Sequence, residues 1–492
     1  MNNASIFLDT DHVEEQIAWL RSLRPESAVE EIAQLLTNGA AEDLLWAAGA
    51  LAAARHLNNQ ARNLLGFVSH AMIGCEDARR LAHGQPRHTR WLLIIQALYQ
   101  VVCDLHDPCF APSALPPFWP TREQTLDDSL TQLRADVRFG EYMRADHRLS
   151  GLAEDMPRAA LVDLLLDIGL EGMITDDHTL ITPVLSLGMV DFVGWKHGFD
   201  MLRWGLRYSA SFPREFCSYD RARTLRESYG LEHGAPEHEF QAERVAGLCA
   251  AFHAAAPAER PELAARALAR QGCSPATVLA AVSLVAADCY LMTEPVPHGD
   301  YDAVSREVAP MHINTTTNVL REALQSMSPA TQALAAIQGG SLLERGPSVL
   351  DEQFRFVAFV PSRAYPYEED VRALAGKQPA ALLETLRRAL PAHDQRTATA
   401  AVAAYAVTGA SPEPLISLLI AVACTDNGTL LHNFKHLHAT VQEFYACKLP
   451  DRWNFLLAGT RFIAWYAGVT TEAYKRATLA LELTQAAALS AR

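Results

Sequence analysis

The sequence predicts an all-α protein, built as an array of antiparallel helix pairs. Along most of the 492 residues, apolar side chains recur at intervals of three and four, which is the period of an amphipathic helix. Residues that favour helices, such as alanine and leucine, are abundant. A helix-opening motif, Gly-x-Ser-Pro, also occurs twice. HEAT-like arrays of this type stack their helices into a curved solenoid that can surround a central cavity.

The predicted helices are segments in which the apolar residues fall on one face. In chain order they are Val29–Leu36, Asp43–His56, Gln60–Met72, Trp91–Cys103, Arg158–Ile168, Phe199–Tyr208, Glu243–Ala254, Pro261–Arg270, Ala276–Ala287, Thr315–Met327, Ala380–Leu390, Arg396–Val407, Glu413–Cys424, His432–Cys447 and Asn454–Tyr466. The best strand candidate is Phe354–Val360, but one short apolar run does not make a sheet.

The two Gly-x-Ser-Pro openings have the chemistry of a helix start. They lie at Gly272–Pro275 and Gly409–Pro412. Glycine ends the preceding helix, serine caps the next one, and proline occupies its first position. We therefore expect Pro275 and Pro412 in the first turn of equivalent helices.

Four histidines precede amphipathic helices at intervals of about 110 to 120 residues, namely His88, His197, His312 and His432. This spacing predicts four diverged helical units, with the histidine-rich helix in the last. The expected bounds of the units are 1–120, 121–235, 236–350 and 351–492. Eighteen histidines give many chances for such a register, so coincidence is the alternative.

Composition excludes several classes of protein. The net charge is -15, and we find no local basic stripe, which argues against a nucleic-acid-binding surface. There is no uninterrupted apolar run of about 18 residues, so no membrane span is expected. The acidic N-terminus does not resemble a signal peptide, and nine cysteines without a dense pattern favour free thiols in a cytoplasmic protein. The oligomeric state is not predicted.

The densest cluster of candidate ligands lies between Asp426 and His438. On a helix, His432 and His436 are one turn apart on one face, where two imidazoles can bind one transition metal. Such a pair is also common as solvated or capping histidines. The metal interpretation gains weight if further histidines converge on the pair in a curved array. The candidates for this are His312, His197 and His88.

Neutral imidazoles suit iron, copper or zinc better than magnesium or calcium, and we favour iron. Lys435 and Asp426 are the candidate groups for handling protons or orienting a ligand.

Two other clusters and one single histidine admit both a structural and a functional interpretation. Cys103–Cys109 contains cysteine and histidine at spacings that suit zinc, but it lacks a fourth ligand, and packing is the better interpretation. In Asp176–Thr179 a helix cap is favoured, although a carboxylate could instead orient the histidine. His70 lies in an apolar stretch, where it is either a core residue or a partner in the same cavity.

The His-x-x-Lys helix that follows a Gly-x-Ser-Pro helix resembles the all-helical modules of questin-oxidase-like proteins, and the helical repeats attached to some Rieske iron–sulfur proteins. The resemblance covers mainly Ala401–Ala446, and only His432 and Lys435 are carried over. The chain has no Cys-x-His followed by Cys-x-x-His and therefore no Rieske cluster of its own. The resemblance implies an oxidative role on a small aromatic or polyketide-like compound.

Three hypotheses of function follow. The first is a metal-dependent oxidoreductase that acts on a small organic molecule in the helical cavity, with a redox partner as a further expectation. The second is a protein-interaction scaffold that uses the concave face of the array. The third is an enzyme without a cofactor whose histidines act as bases.

Overall fold

Most of the described residues are helical, as a computed structural model shows. This structure describes residues 10–57, 69–110, 119–211, 217–235, 239–295, 304–346, 348–350, 356–358, 363–428 and 430–490. The predicted all-α class is confirmed. The HEAT-like antiparallel arrangement stays a prediction. Among the described residues, no helix combines the length and the apolar character that crossing a membrane requires.

The chain divides into two compact units, and each is assembled from separated segments. The first unit consists of Met1–Glu215, Cys424–Phe434 and Thr470–Arg492, and the second of Phe216–Ala423 and Lys435–Val469. These units differ in number and bounds from the four predicted segments, whose equivalence stays a prediction.

Among the described residues, the first unit contains the first ten α-helices and the last one. They are α1 (Thr10–Ser22), α2 (Pro25–Thr37), α3 (Glu42–His56), α4 (Ala71–Ala82), α5 (Arg87–His106), α6 (Leu126–Arg138), α7 (Tyr142–Asp155), α8 (Arg158–Gly172), α9 (His178–Val193), α10 (Trp195–Ser209) and α23 (Glu472–Ser490). Helix α3 is buried continuously from Leu45 to Ala54 and packs against α1, α4, α5 and α10. It is therefore the core of this unit.

Small residues permit close helix contacts in the first unit. A Cβ atom on Gly49 of α3 would lie 2.3 Å from Leu98 Cδ2 of α5. A Cβ atom on Gly205 of α10 would lie 3.0 Å from the Cα atom of Pro183, which is inside α9. Because interiors are close-packed, larger residues at these two positions would force the helices apart.

The second unit contains helices α11 to α22, of which α21 begins in the first unit. They are α11 (Cys217–Ser228), α12 (Ala242–Ala254), α13 (Arg260–Gln271), α14 (Pro275–Leu291), α15 (Val304–Ala323), α16 (Pro329–Leu342), α17 (Glu368–Leu374), α18 (Pro379–Ala389), α19 (Gln395–Val407), α20 (Glu413–Ala423), α21 (His432–Ala446) and α22 (Trp453–Tyr466). Helix α14 is buried over most of its length and packs against α12, α15, α16 and α22.

In the part of the second unit that the structure describes, one short antiparallel pair of strands interrupts the helices. Strand β1 (Ser348–Leu350) pairs with β2 (Phe356–Ala358) in the register Ser348 to Ala358. Strand β2 lies inside the predicted strand segment Phe354–Val360, whose other residues lie outside the described part of the chain.

The two predicted Ser-Pro openings differ in the structure. Ser274 caps α14 through a hydrogen bond from the amide of Thr277, and Pro275 is its first residue, as predicted. Helix α20 begins at Glu413, one residue after Pro412, and the carbonyl of Ser411 accepts the hydroxyl of Tyr405. The tyrosine side chain therefore engages the main chain at this opening, and Pro412 precedes the helix instead of beginning it.

Most of the predicted helices are confirmed, with bounds that differ by a few residues. The prediction Gln60–Met72 falls mainly outside the described residues, and α4 begins at Ala71. The prediction Thr315–Met327 corresponds to a longer helix, α15, which ends at Ala323. Helix α9 was not predicted, because Pro183 and a run of apolar residues on all sides obscure its period.

Candidate metal centre

Three helix starts bring three histidines together in the first unit. His70 immediately precedes α4, His178 is the first residue of α9, and His432 is the first residue of α21. One ring nitrogen from each of these histidines lies within 4.8 Å of the other two. This spacing would let one metal ion contact all three imidazoles, since metal–nitrogen bonds to histidine are about 2.0–2.1 Å long. We call these residues the three-histidine group.

The three rings are mostly removed from solvent and contact one another at steep angles. The Nε2 atoms of His70 and His178 are 3.2 Å apart. The ring centroids of His70 and His432 are 4.4 Å apart, and those of His178 and His432 are 6.5 Å apart. His70 is 4% exposed and His432 is 7% exposed. The group is therefore largely shielded from bulk solvent.

Two carboxylates fix the orientation of the His178 ring. Its Nδ1 atom lies 3.3 Å from Asp176 Oδ1 and 3.3 Å from Asp177 Oδ1. Because an ionised carboxylate only accepts hydrogen bonds, Nδ1 carries the hydrogen and Nε2 keeps its lone pair for His70 or for a metal. A carboxylate behind a histidine is the usual outer arrangement of a metal-binding imidazole.

A buried carboxyl group supports the main chain beside His70. The hydroxyl of Ser69 donates to Asp104 Oδ2 at 2.5 Å, and Gln100 Nε2 donates to Asp104 Oδ1 at 2.7 Å. Burial raises the pKa of Asp104 to about 7, although the hydrogen bonds from Ser69 and Gln100 oppose this shift. Within the predicted cluster Cys103–Cys109, Asp104 thus has a structural role, and the packing interpretation of the cysteines stays a prediction.

The loop before His432 is held by Asp426. This carboxylate accepts the main-chain amides of Gly428 at 2.8 Å and of Thr470 at 2.5 Å, and the side-chain amide of Asn433 donates to the Asp426 carbonyl. Both carboxylate oxygens are therefore engaged by the main chain. These contacts give Asp426 an anchoring role, and its predicted role in handling protons stays a prediction.

The end of the same loop has a strained backbone. Leu430 and Leu431 both have positive φ angles, +52° and +64°, which residues other than glycine rarely adopt. Leu431 is buried and packs closely on α4. A Cβ atom on Gly74 of α4 would lie only 2.6 Å from the Cδ1 atom of Leu431. Packing of Leu431 against α4 thus holds the strained turn that delivers His432 to the group.

The other predicted ligands have different surroundings. His88 is exposed at the start of α5, and the Nδ1 atom of His197 lies 3.0 Å from Arg55 Nη2. Within the described residues, neither of them joins a group of three ligand atoms within 4.8 Å of one another together with His432. His312 lies on α15 in the second unit, where its carbonyl accepts the hydroxyl of Thr316. The predicted ligand roles of His88 and His197 gain no support from these contacts, and that of His312 stays a prediction.

His436 and Lys435 are buried in the second unit. His436 Nε2 lies 3.2 Å from Asn314 Nδ2, and the rings of Tyr290 and Phe462 contact the imidazole edge-on. Burial, together with the nearby charges of Lys435 and Arg461, lowers the pKa of His436 to about 3. The side chain is therefore neutral at physiological pH. The predicted proton-handling role of Lys435 stays a prediction.

His70 and His178 were not among the predicted metal ligands, although the sequence contained a signal for each. The carboxylates before His178 were interpreted as a helix cap, and the structure shows both roles: Asp176 Oδ1 accepts the main-chain amide of His178 at 3.2 Å and also faces its Nδ1 atom. His70 is the partner in the same site that the alternative interpretation expected. A periodicity argument could not select these two, because neither lies four residues from His432.

The electrostatics of the three-histidine group favour a metal ion that carries a negatively charged ligand. Helix N-termini carry a partial positive charge, and α4, α9 and α21 all begin here. The carboxylates of Asp176 and Asp177 offset this charge on one side. A divalent metal on three neutral imidazoles would keep its full charge and its open coordination positions, which suit hydroxide, dioxygen or an anionic substrate.

Comparison of the chain with protein-family models, with curated proteins and with solved structures finds no match. The geometry of the site is therefore the basis for the function proposed below.

Proposed function

We propose that His70, His178 and His432 bind one transition-metal ion, and that the protein is a metal-dependent enzyme. The observation that carries this proposal is the convergence of three imidazole nitrogens within 4.8 Å. The carboxylates behind His178 add the outer contacts that metal-binding imidazoles usually have. His432 keeps the ligand role predicted from the sequence, and His70 and His178, which were not among the predicted ligands, complete the group.

The reaction class that we propose is oxidation of a small organic molecule, with iron as the metal. Three neutral imidazoles leave several positions of an iron(II) ion open, so that dioxygen and a substrate can bind side by side. The low exposure of the group protects a reactive intermediate from water. The resemblance to questin-oxidase-like proteins points to an aromatic or polyketide-like substrate, and a redox partner would supply electrons where the reaction needs them.

A hydrolytic zinc centre is the second candidate. It is favoured by the composition of the group, because three histidines and one water form a well-known catalytic zinc site. In that case the metal would lower the pKa of its bound water and supply a hydroxide nucleophile.

Metal analysis of the purified protein tests the proposal. The protein is stripped with a chelator and titrated separately with iron(II) under anaerobic conditions, copper(II) and zinc(II). We expect about one ion per chain, and we expect each of the His70→Ala, His178→Ala and His432→Ala variants to lose most of it, since a site rarely tolerates losing one of about three or four ligands.

The matched control is His88→Ala, which removes an exposed histidine from the same unit. Binding that is equal in the control and in all three ligand variants would overturn the metal centre, and the interaction scaffold or the cofactor-free enzyme would become the better account. If only the zinc form is tight and active on ester substrates, the hydrolytic candidate replaces the oxidative one. Dioxygen uptake by the iron form in the presence of phenolic compounds supports oxidation.

A further inference from the structure

A tyrosine of α10 contacts both the His178 ring and one of the carboxylates that face it. The hydroxyl of Tyr208 donates a short hydrogen bond to Asp176 Oδ2, while Asp176 Oδ1 faces His178 Nδ1. Tyr208 is fully buried, and its ring contacts the His178 ring edge-on, with centroids 6.0 Å apart. The chain of contacts therefore runs from the tyrosine hydroxyl through one carboxylate to the imidazole.

The packing of α10 on α9 fixes the position of this tyrosine. Gly205 lies three residues before Tyr208 and lets α10 approach the backbone of Pro183 closely. At the other end, the Ser209 hydroxyl donates to the carbonyl of Thr179 at 3.2 Å. Because α10 is held on both sides of Tyr208, its hydroxyl has little freedom to leave Asp176.

From this geometry we infer that Tyr208 and Asp176 are positioning residues for the metal ligand His178, an inference that rests on the proposed metal centre. The hydroxyl holds Asp176 in the rotamer that faces Nδ1. The carboxylate in turn keeps the hydrogen on Nδ1 and directs the Nε2 lone pair of His178 toward the other two histidines. Neither residue contacts the metal itself.

The alternative is a purely structural role, because Asp176 also accepts the main-chain amide of His178 at the start of α9. A cap stabilises the helix whether or not metal is present. The two roles are separated by measurements that a cap does not affect, namely the affinity for metal and the absorption spectrum of the cobalt(II) form, which reports the geometry of the ligands.

The experiment uses the full chain with cobalt(II) and zinc(II) as probes. The test variants are Tyr208→Phe, which removes one hydroxyl, and Asp176→Asn, which keeps the size of the side chain. We expect the affinity to fall about tenfold for Tyr208→Phe and about ten- to a hundredfold for Asp176→Asn, in line with other outer contacts of metal sites. The cobalt(II) spectrum should change in both variants.

Tyr142→Phe is the matched control. Tyr142 lies in the same unit, and its ring contacts the guanidinium of Arg207, which a phenylalanine ring preserves. We expect wild-type affinity and a wild-type spectrum for this control. Thermal unfolding of the metal-free proteins checks that all variants are folded.

The outcomes separate this inference from the proposed function. If the wild-type protein binds one ion but Tyr208→Phe and Asp176→Asn both bind it with unchanged affinity and spectrum, the positioning role is wrong and the metal centre stands. If the wild-type protein binds no stoichiometric metal, the proposed function itself is wrong. A lower stability of Asp176→Asn with unchanged metal affinity would assign the carboxylate to capping alone.

Discussion

His432 and His436 stand one helical turn apart on α21 and belong to different compact units. His432 joins two other imidazoles, and one of these is backed by carboxylates. His436 instead contacts the side-chain amide of Asn314 and two aromatic rings, and its burial lowers its pKa to about 3. Spacing along a helix thus determines which side chains share a face, whereas other elements determine what each side chain meets.

The sharpest test of this comparison removes each histidine in turn. We expect His432→Ala to lower metal affinity at least about a hundredfold, because one ligand of three is lost. His436→Ala should leave metal affinity unchanged and instead cost about 2–4 kcal/mol of unfolding free energy, the usual loss when a large buried side chain is truncated. Isothermal titration with zinc(II) and urea unfolding of the metal-free proteins measure the two effects.

The opposite pattern would contradict this contrast between His432 and His436. A large loss of metal affinity in folded His436→Ala would place that imidazole in the centre and restore the ligand pair predicted from the sequence. His436→Gln is a gentler second variant if the alanine protein does not fold, since glutamine retains polar atoms and more of the side-chain volume.

The neighbouring residues Leu430 and Leu431 differ in burial, and this difference tests how His432 is held in position. Both have positive φ angles, but Leu431 is buried against α4 and Leu430 is 38% exposed. Leu431→Gly should therefore cost about 2–4 kcal/mol through lost packing and should weaken metal binding. Leu430→Gly should raise stability by roughly 0.5–1 kcal/mol, because glycine relieves the strain at the price of some chain entropy.

Urea unfolding with and without zinc(II) checks both glycine variants. If Leu431→Gly binds zinc as tightly as the wild type, packing of this loop does not determine the position of His432. A loss of stability in Leu430→Gly would show that its backbone conformation carries little strain.

Much of the fold followed from local chemistry, while the site did not. The helical period and the Ser274–Pro275 cap were sufficient to predict an all-α chain and the start of α14, because both depend on neighbours within one turn. His70 and His178 meet His432 only through the packing of α4, α9 and a loop that returns late in the chain. No pattern within one segment encodes that convergence, and the i,i+4 pair drew attention to His436 instead.

Two buried groups, His436 and Asp104, should make opposite contributions to stability in mild acid. The pKa of His436 lies below its ordinary value, so the unfolded chain binds a proton that the folded chain does not, and stability falls as the pH drops from about 6.5 toward 3. The pKa of Asp104 lies above its ordinary value, so this group's contribution is present below about pH 4 and is lost as the pH rises through about 7.

Urea unfolding of metal-free protein between about pH 4.5 and 6.5 distinguishes these contributions. We expect His436→Gln to make the slope of unfolding free energy against pH less positive, and Asp104→Asn to make it more positive, each by at most about 1.4 kcal/mol per pH unit. Identical slopes in the wild type and in both variants would contradict this assignment.

The smallest expected effects concern helix caps within the second unit. Ser274 and Ser328 open α14 and α16 with the same four residues, Ser-Pro-Ala-Thr, and each accepts the amide of the threonine three residues later. Replacing either serine by alanine should cost about 1 kcal/mol. Ser411→Ala should cost almost nothing, because its contact with Tyr405 uses the main-chain carbonyl, which alanine retains.

Thermal unfolding of the three alanine variants measures the difference. Equal losses at all three positions would show that Ser411 caps α20 as the sequence predicted. Unchanged stability at Ser274 and Ser328 would remove the energetic argument for both caps.

The discontinuous course of the first unit has a consequence for its biosynthesis. Its histidine group needs residues 70, 178 and 432, and the loop that carries His432 is tied to Thr470. On a ribosome, the first ten helices emerge long before that loop and before α23, which packs on α2 and α5. The nascent first unit therefore cannot complete its fold until the inserted second unit has been synthesised, and part of its apolar surface stays uncovered during that time. Chaperones commonly protect such incomplete chains.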